Sequence, residues 1–422
     1  MRVVLTTLLF LFLSLVLSAC ETSNPLVLPT DTPAPPTATP PPTASPTPIP
    51  DSVAGFDDFM AEAEASAPDR RQELVNRYVG SLVQTPVTGG DEAIFLYRGA
   101  AQSVQVQGDM NGWDAQAAPA MTRLEGSDLW FWRSTFEPAA RLDYRILLNS
   151  NEAMLDPLNP STVPGPLGPN SELRMPAYQP PPELEPLSTP SPSGSLTSHT
   201  LDSQLLGQTR TFQVYQPPGQ IVGQRLPVLY VNSGGDYLNL IDMPAILDRL
   251  IAQRQIPPLV AVFITPINAE QDYSLNDSYA AFLAEELVPY IRENFGTSDD
   301  PAATGILGNS LGGLAAVHTA LAHPNTFGLA AAQSGRFGLE QGALIEQVGQ
   351  AGLKAPKFYL VVGSYETAID GENVLQSNRA MAEALQQGDF DVVLDERPEG
   401  HSWGLWRGTL GQALAALFEP AA

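Results

Sequence analysis

Thiols are almost missing from this 422-residue sequence. Its single cysteine, Cys20, excludes an intramolecular disulfide, a cysteine-rich zinc site and an iron–sulfur cluster, each of which needs at least two thiolates from the chain. Basic residues are scarce as well, 21 Lys and Arg against 46 Asp and Glu, for a formal net charge of −25. A field of that sign repels phosphate backbones, so a nucleic-acid partner is not expected. Charged residues make up only 16% of the chain where ~25% is usual, and its 40 prolines are about double average usage. The two deviations together point to proline-rich segments that carry little charge. Histidine is limited to four positions. The length allows two or three domains and a sizeable core.

The first unusual segment is the N-terminus. Arg2 precedes an apolar run from Val3 to Val16, followed by Leu17-Ser18-Ala19-Cys20. The run is short for a spanning helix, which needs ~20 apolar residues, and it has the form of an export signal ending in small residues. Cleavage before the only cysteine resembles a bacterial lipoprotein signal, which implies that Cys20 becomes the acylated N-terminus. Residues 21–52 follow as a stalk of Pro, Thr, Ser and Ala, a composition that cannot bury enough apolar surface to fold. A second Pro-rich stretch, 179–195, reads as an interdomain linker. It separates a first domain, 53–178, from a second, 196–422.

The first domain opens with a helical period through Phe56, Phe59, Met60, Ala63, Leu74, Tyr78 and Leu82. Past Gly89-Gly90 the period becomes two, in short strands at 93–97, 104–107, 129–132 and 142–146. Such spacing indicates a β-sandwich. The turn Gly108-Asp109-Met110-Asn111-Gly112-Trp113 and the segment Leu155-Asp156-Pro157-Leu158-Asn159-Pro160 resemble the immunoglobulin-like early-set domain of glycogen-branching-type enzymes. Trp113, Trp130 and Trp132 could stack on sugars, although filling a sandwich core is the commoner use of such residues.

The second domain alternates strands (211–215, 226–231, 259–264, 304–307, 329–332, 358–362, 391–394) with helices such as 279–294, 314–322 and 374–387. That pattern belongs to an α/β domain with a mostly parallel sheet covered on both faces. At the end of its fourth strand stands Gly308-Asn309-Ser310-Leu311-Gly312-Gly313. This is a G-x-S-x-G elbow between strand and helix, in which Ser310 is the candidate nucleophile, Gly308 and Gly312 leave room for the turn, and Gly313 lets the helix approach the sheet.

A serine hydroxyl needs a general base, most often histidine. His199 lies beside the linker and His318 and His323 on the helix after the elbow, which leaves His401, just past the strand 391–394, as the base. The third member should follow a strand end between Ser310 and His401. Gly363-Ser364-Tyr365-Glu366-Thr367 supplies Glu366, with Asp370 and Glu372 as alternatives, because side-chain direction is not written in a sequence. The backbone N–H groups of Leu311 and of Gly235, in the loop after the strand 226–231, are the candidate oxyanion donors.

Residues 93–413 thereby resemble an enterochelin-esterase or esterase-D-like α/β-hydrolase with its N-terminal early-set domain. The resemblance is carried by the elbow, by His323-Pro324 with Phe327, by Gln333-Ser334-Gly335, and above all by Gly400-His401-Ser402-Trp403 with Trp406-Arg407. Two positions depart from it: Ser233-Gly234-Gly235 stands where Asp-Gly-Gln is usual, and Thr304 where an Arg is common. The resemblance implies a serine carboxylic-ester hydrolase acting through an acyl-enzyme on a small-molecule ester (a siderophore-like, acylated-sugar or small ester), with no metal or organic cofactor implied, and the N-terminal signal implies that it is exported and lipid-anchored. An acyltransferase using the same three residues, or a catalytically silent carbohydrate-binding lipoprotein, are the alternatives.

Overall fold

The computed structural model describes residues 52–184, 192–219, 223–348 and 356–419. Cys20, the signal segment and the stalk lie outside the described residues.

Two helices come first, not one. Val53–Ala65 begins where the Ser52 side chain accepts the N–H of Gly55 at 3.1 Å, and Pro68–Ser81 begins with Pro68, whose missing N–H costs nothing in a first helical turn. The chain then builds two antiparallel sheets. One has the order β1-β2-β5-β4, with β1 Val87–Gly89, β2 Glu92–Arg98, β4 Thr122–Arg123 and β5 Leu129–Thr135. The other runs β3-β6-β9-β8, with β3 Val104–Gly108, β6 Arg141–Leu148, β8 Thr162–Val163, β9 Asn170–Arg174, and β7 Glu152–Met154 paired to β6.

Strand β2 explains the layering. Ala93, Phe95 and Tyr97 face the second sheet and share a core with Val106, Trp130, Leu142 and Tyr144. Ile94 and Leu96 point the other way, onto Phe56, Phe59 and Tyr78 of the two helices. A strand buried on both faces reads as a continuous apolar run, as this one does. Burying side chains of this size contributes roughly 1.5–3 kcal/mol each, so the helices are part of the sandwich and not an appendage to it.

The second domain is an eight-stranded sheet in the order β10-β11-β13-β12-β14-β15-β16-β17. Its strands are β10 Ser195–Ser203, β11 Gln208–Gln216, β12 Val228–Val231, β13 Val260–Ile264, β14 Thr304–Asn309, β15 Leu329–Gln333, β16 Lys357–Gly363 and β17 Val392–Arg397. The pairs β10·β11 and β11·β13 are antiparallel and every later pair is parallel. Alternate residues of β12 go to opposite cores: Val228 and Tyr230 pack with the helices Leu311–Ala322 and Val374–Gln387, and Leu229 and Val231 pack with Met243–Ala252 and Trp403–Leu417. Seven of these strands match the expected runs. The additional one, β10, is largely polar and exposed and so carries no hydrophobic signal; it is held by nine register pairs with β11.

The expected linker is shorter than 179–195. The turn Pro182–Leu184 is packed on the second domain: the Glu183 side chain is buried, its carbonyl accepts Arg249 Nη1 at 2.7 Å, and a Cβ at Gly411 would lie 2.1 Å from its carboxylate. At the other end Ser195 already belongs to β10.

Candidate active site

Three strand ends bring the site together. At the C-terminal end of β14, Ser310 adopts φ 50°, ψ −121° before the helix Leu311–Ala322 begins. A non-glycine residue there is strained, and the strain lifts the side chain clear of the sheet. The elbow closes because its glycines have no side chains. A Cβ at Gly308 would stand 2.2 Å from the carbonyl oxygen of Gly312, and one at Gly312 would stand 3.0 Å from Ser233 Oγ and 3.1 Å from Asn232 Cβ. Gly308 is thus required by the helix's own first turn, and Gly312 by the loop after β12. Gly313 is equally close to the sheet, with Ala332 Cβ and Gly335 Cα both 3.3 Å from where its Cβ would be.

His401 sits between β17 and the helix Trp403–Leu417, with its side chain mostly buried. The Ser310 hydroxyl donates to His401 Nε2 over 3.0 Å, and His401 Nδ1–H donates to Glu366 Oε2 over 2.7 Å. Glu366 follows β16 and is fully buried; its other oxygen, Oε1, accepts the N–H of Gly363 and the hydroxyl of Ser334, each at 2.7 Å. Three donors therefore hold one carboxylate in a single orientation, with one oxygen committed to the imidazole. Trp406 completes the set, its indole N–H donating to Ser334 Oγ at 2.9 Å and its ring lying edge-on to His401 at 5.1 Å.

The two alternative acids point elsewhere. Glu372 receives Arg336 Nε, Gly338 N–H and the Ser377 hydroxyl, and Asp370 is an exposed partner of Arg336. The other histidines are also accounted for. His199 is in β10 beside Thr197, His323 ends the helix after the elbow, and His318 is buried against Asp277 at 3.0 Å.

Leu311 and Gly235 occupy the first turns of their helices, Leu311–Ala322 and Gly234–Asn239, where N–H groups have no acceptor within the helix. The loop carrying Gly235 is fixed over the elbow. Asn232 Nδ2 donates to Gly312 O at 3.0 Å, Asn232 Oδ1 accepts the Tyr279 hydroxyl at 2.8 Å, and the Ser233 N–H donates to the Tyr273 hydroxyl at 2.8 Å. The tightest glycine is its neighbour: a Cβ at Gly234 would be 2.4 Å from Ile264 N, whereas one at Gly235 meets only Thr265 Oγ1 at 3.2 Å.

A cleft of about 490 Å³ runs from His401 to the sandwich. Trp403 and Trp406 line the hydrolase side, and Trp113, Arg145 and the loop bearing the exposed Leu167 line the other. The tryptophans of the first domain do not form one platform. Trp130 is in the sandwich core and Trp132 stacks on Phe95 at 5.0 Å, while Trp113 alone reaches the cleft, its indole N–H held by Asp109 at 2.9 Å. Sequence reasoning gave no role to Ser334 or Trp406 in the site, although both stand in the segments that carry the resemblance. Ser334 has φ 54°, a backbone state that residue type alone does not announce.

Among known proteins, the family described as putative esterase matches residues 203–417. The iron(III) enterobactin esterase of Escherichia coli O6:H1 is 25% identical over 335 residues, 71% of this chain and 82% of that protein. That of Dickeya dadantii is 26% identical over 368 residues, 76% and 83% of the two chains. The crystal structure of ferric enterobactin esterase from Salmonella typhimurium superposes with a TM-score of 0.67 at 23% identity, covering 78% of this chain and 94% of that one. The enterobactin esterase from Shigella flexneri, crystallised in the presence of enterobactin, gives 0.66 at 23% identity over 78% and 93%. The structural likeness shows a shared α/β-hydrolase fold.

Proposed function

Because this chain belongs to the putative-esterase family and is an enterochelin-esterase-like carboxylic-ester hydrolase, we propose that it works as a serine esterase through Ser310, His401 and Glu366. The observation that carries the assignment is the unbroken hydrogen-bond chain from Ser310 through His401 to a fully buried Glu366.

In this mechanism Ser310 Oγ attacks the ester carbonyl as its proton passes to His401 Nε2. Glu366 keeps the Nδ1–H tautomer that leaves Nε2 free to accept, and it stabilises the imidazolium. Negative charge grows on the carbonyl oxygen and is met by the N–H groups of Leu311 and Gly235, which as first-turn residues have no acceptor within their helices. Collapse breaks the bond to the alcohol, which leaves with the proton from His401 and gives an acyl-Ser310 ester. Water, deprotonated by the same imidazole, attacks that ester and releases the carboxylic acid and free Ser310.

The substrate is a bulky small-molecule ester. The cleft is wide, aromatic and walled on one side by the sandwich, and relatives named as iron(III) enterobactin esterases favour a siderophore-type polyester among the open classes. The first domain serves as an immunoglobulin-like early-set module. The enzyme is exported and tethered by lipid on Cys20.

Fluorophosphonate labelling tests the nucleophile. The wild type should take up one probe and lose activity on aryl esters, and Ser310→Ala should do neither; labelling or hydrolysis that survives Ser310→Ala overturns the assignment. A chain-length panel of aryl esters then defines the acyl group.

A further inference from the structure

The segment that carries His401 is held from both domains: within the hydrolase the Tyr365 N–H donates to the Glu399 carbonyl at 3.1 Å, and the sandwich adds a buried side chain. Arg141, the first residue of β6 in the sandwich, is fully buried. Its N–H donates to the carbonyl of Pro398 at 3.1 Å, and its Nη1 reaches Glu399 Oε2 at 3.1 Å and Ser402 Oγ at 3.4 Å. Nη2 and Nε bind Asp143 and Glu172 of the sandwich itself, each at 2.5 Å. The hydrolase makes room for this arginine with glycine: a Cβ at Gly404 would lie 1.8 Å from the guanidinium carbon, and one at Gly400 would lie 2.1 Å from Asp109 Cγ. Glu399, Gly400, Ser402 and Gly404 all surround His401, and each touches a group from the sandwich.

Resting on the catalytic reading above, we propose that Arg141 is a positioning residue for His401, so that the sandwich completes the catalytic site of the hydrolase domain as well as walling its cleft. His401 has its functional bonds to Ser310 and Glu366 only if its backbone is in place, and a displacement of about 1 Å costs on the order of 10² in rate. Three carboxylates converge on this one guanidinium. Burial pushes the carboxyls of Asp143 and Glu399 above their ordinary range, partly opposed by Arg141. Without the arginine Glu172 would keep Arg174 at 2.7 Å and Asp143 the amide of Asn170 at 3.1 Å, whereas the buried Glu399, two residues from the base, would lose its ion pair, a strongly unfavourable state for a carboxylate in a dry site.

A wall for the substrate and a clamp on the base make different kinetic predictions. Loss of a wall raises KM for bulky esters. Loss of the clamp lowers kcat for every ester, small ones included, because the chemistry itself is impaired. Arg141→Met and Arg141→Lys in the full chain, assayed on a small aryl acetate with active sites counted by burst titration, separate the two. We expect kcat per active site to fall about 10²-fold in Arg141→Met with KM within about twofold, and fluorophosphonate labelling to slow in parallel. Lysine should recover part of the loss, since it restores the charge without the three-way fork. A folded Arg141→Met with kcat within twofold of wild type, or with only KM changed, overturns the proposal. Should Arg141→Met fail to fold, Glu399→Gln decides: it leaves Arg141 paired with Asp143 and Glu172 and loosens only the tie to the loop. There a fall in kcat of roughly 5- to 20-fold at constant KM is expected, and an unchanged kcat overturns the proposal. Ser310→Ala, run alongside, keeps the two claims apart. Activity in that variant refutes the catalytic reading, whereas an inactive Ser310→Ala beside a fully active Arg141→Met refutes only the positioning role.

Discussion

The Ser334 hydroxyl donates to Glu366 Oε1 over 2.7 Å, on the side of the carboxylate that His401 does not use. The acid is therefore oriented from both ends, by imidazole at one oxygen and by Ser334 and the Gly363 N–H at the other. Ser334→Ala removes one hydrogen bond to a charged group, a contribution of about 1.5–3 kcal/mol. It should lower kcat roughly 10- to 100-fold while leaving KM and the far-UV circular dichroism unchanged.

Two acids near the strand end, Glu366 and Asp370, separate by mutation. Glu366→Gln should lower kcat on the order of 10²- to 10⁴-fold, since it loses the orientation and charge that support the imidazolium. Asp370→Asn should stay within about twofold of wild type, because an exposed partner of Arg336 contributes little. Steady-state kinetics on an aryl ester checks both, and a reversed order would move the catalytic acid to the Arg336 cluster.

Adjacent glycines in the loop after β12 should respond differently to a methyl group. Gly234→Ala forces a Cβ to within 2.4 Å of a backbone nitrogen and should cost about 1–3 kcal/mol or more in urea unfolding. Gly235→Ala meets only a threonine hydroxyl at 3.2 Å and keeps its N–H. Its stability should change by no more than about 0.5 kcal/mol, with activity retained.

Stability should fall on mild acidification through His318. Burial lowers its pKa below the usual 6.5, with Asp277 opposing the shift and the neighbouring His323 adding to it. The unfolded chain then takes up a proton that the folded chain refuses, so this residue's stabilising effect is complete above about 6.5 and is lost progressively as the pH drops below that value. The difference in melting temperature between pH 7.5 and pH 5.5 should shrink in His318→Gln relative to wild type. An unchanged difference would assign the acid sensitivity to other groups.

Lipid attachment is tested at the only thiol. Cys20→Ser should release the protein from membranes into the soluble exported fraction, as followed by fractionation and immunoblotting, because a single serine offers no site for the thioether that anchors a lipoprotein. Retention on the membrane would refute the tether.

The sequence by itself determined the elements and the candidate residues. Apolar runs of four to six residues, separated by helical periods, mark a sheet buried on both faces, and Gly308-x-Ser310-x-Gly312 at a strand end marks a candidate nucleophile, because only glycine tolerates the contacts that close the turn. With four histidines and one of them past the last strand, His401 was reachable by elimination. Tertiary structure decided what depends on direction and distance. Glu366, Asp370 and Glu372 lie within seven residues of one another and differ only in where the backbone aims them, one into the buried site and two toward Arg336. Strand β10 has no apolar period and exists because β11 offers it an open edge. The junction between the domains was illegible for the same reason. Arg141 and Glu399 are 258 residues apart, and a charge placed in a strand reads as surface until the fold buries it against three carboxylates and the loop of His401.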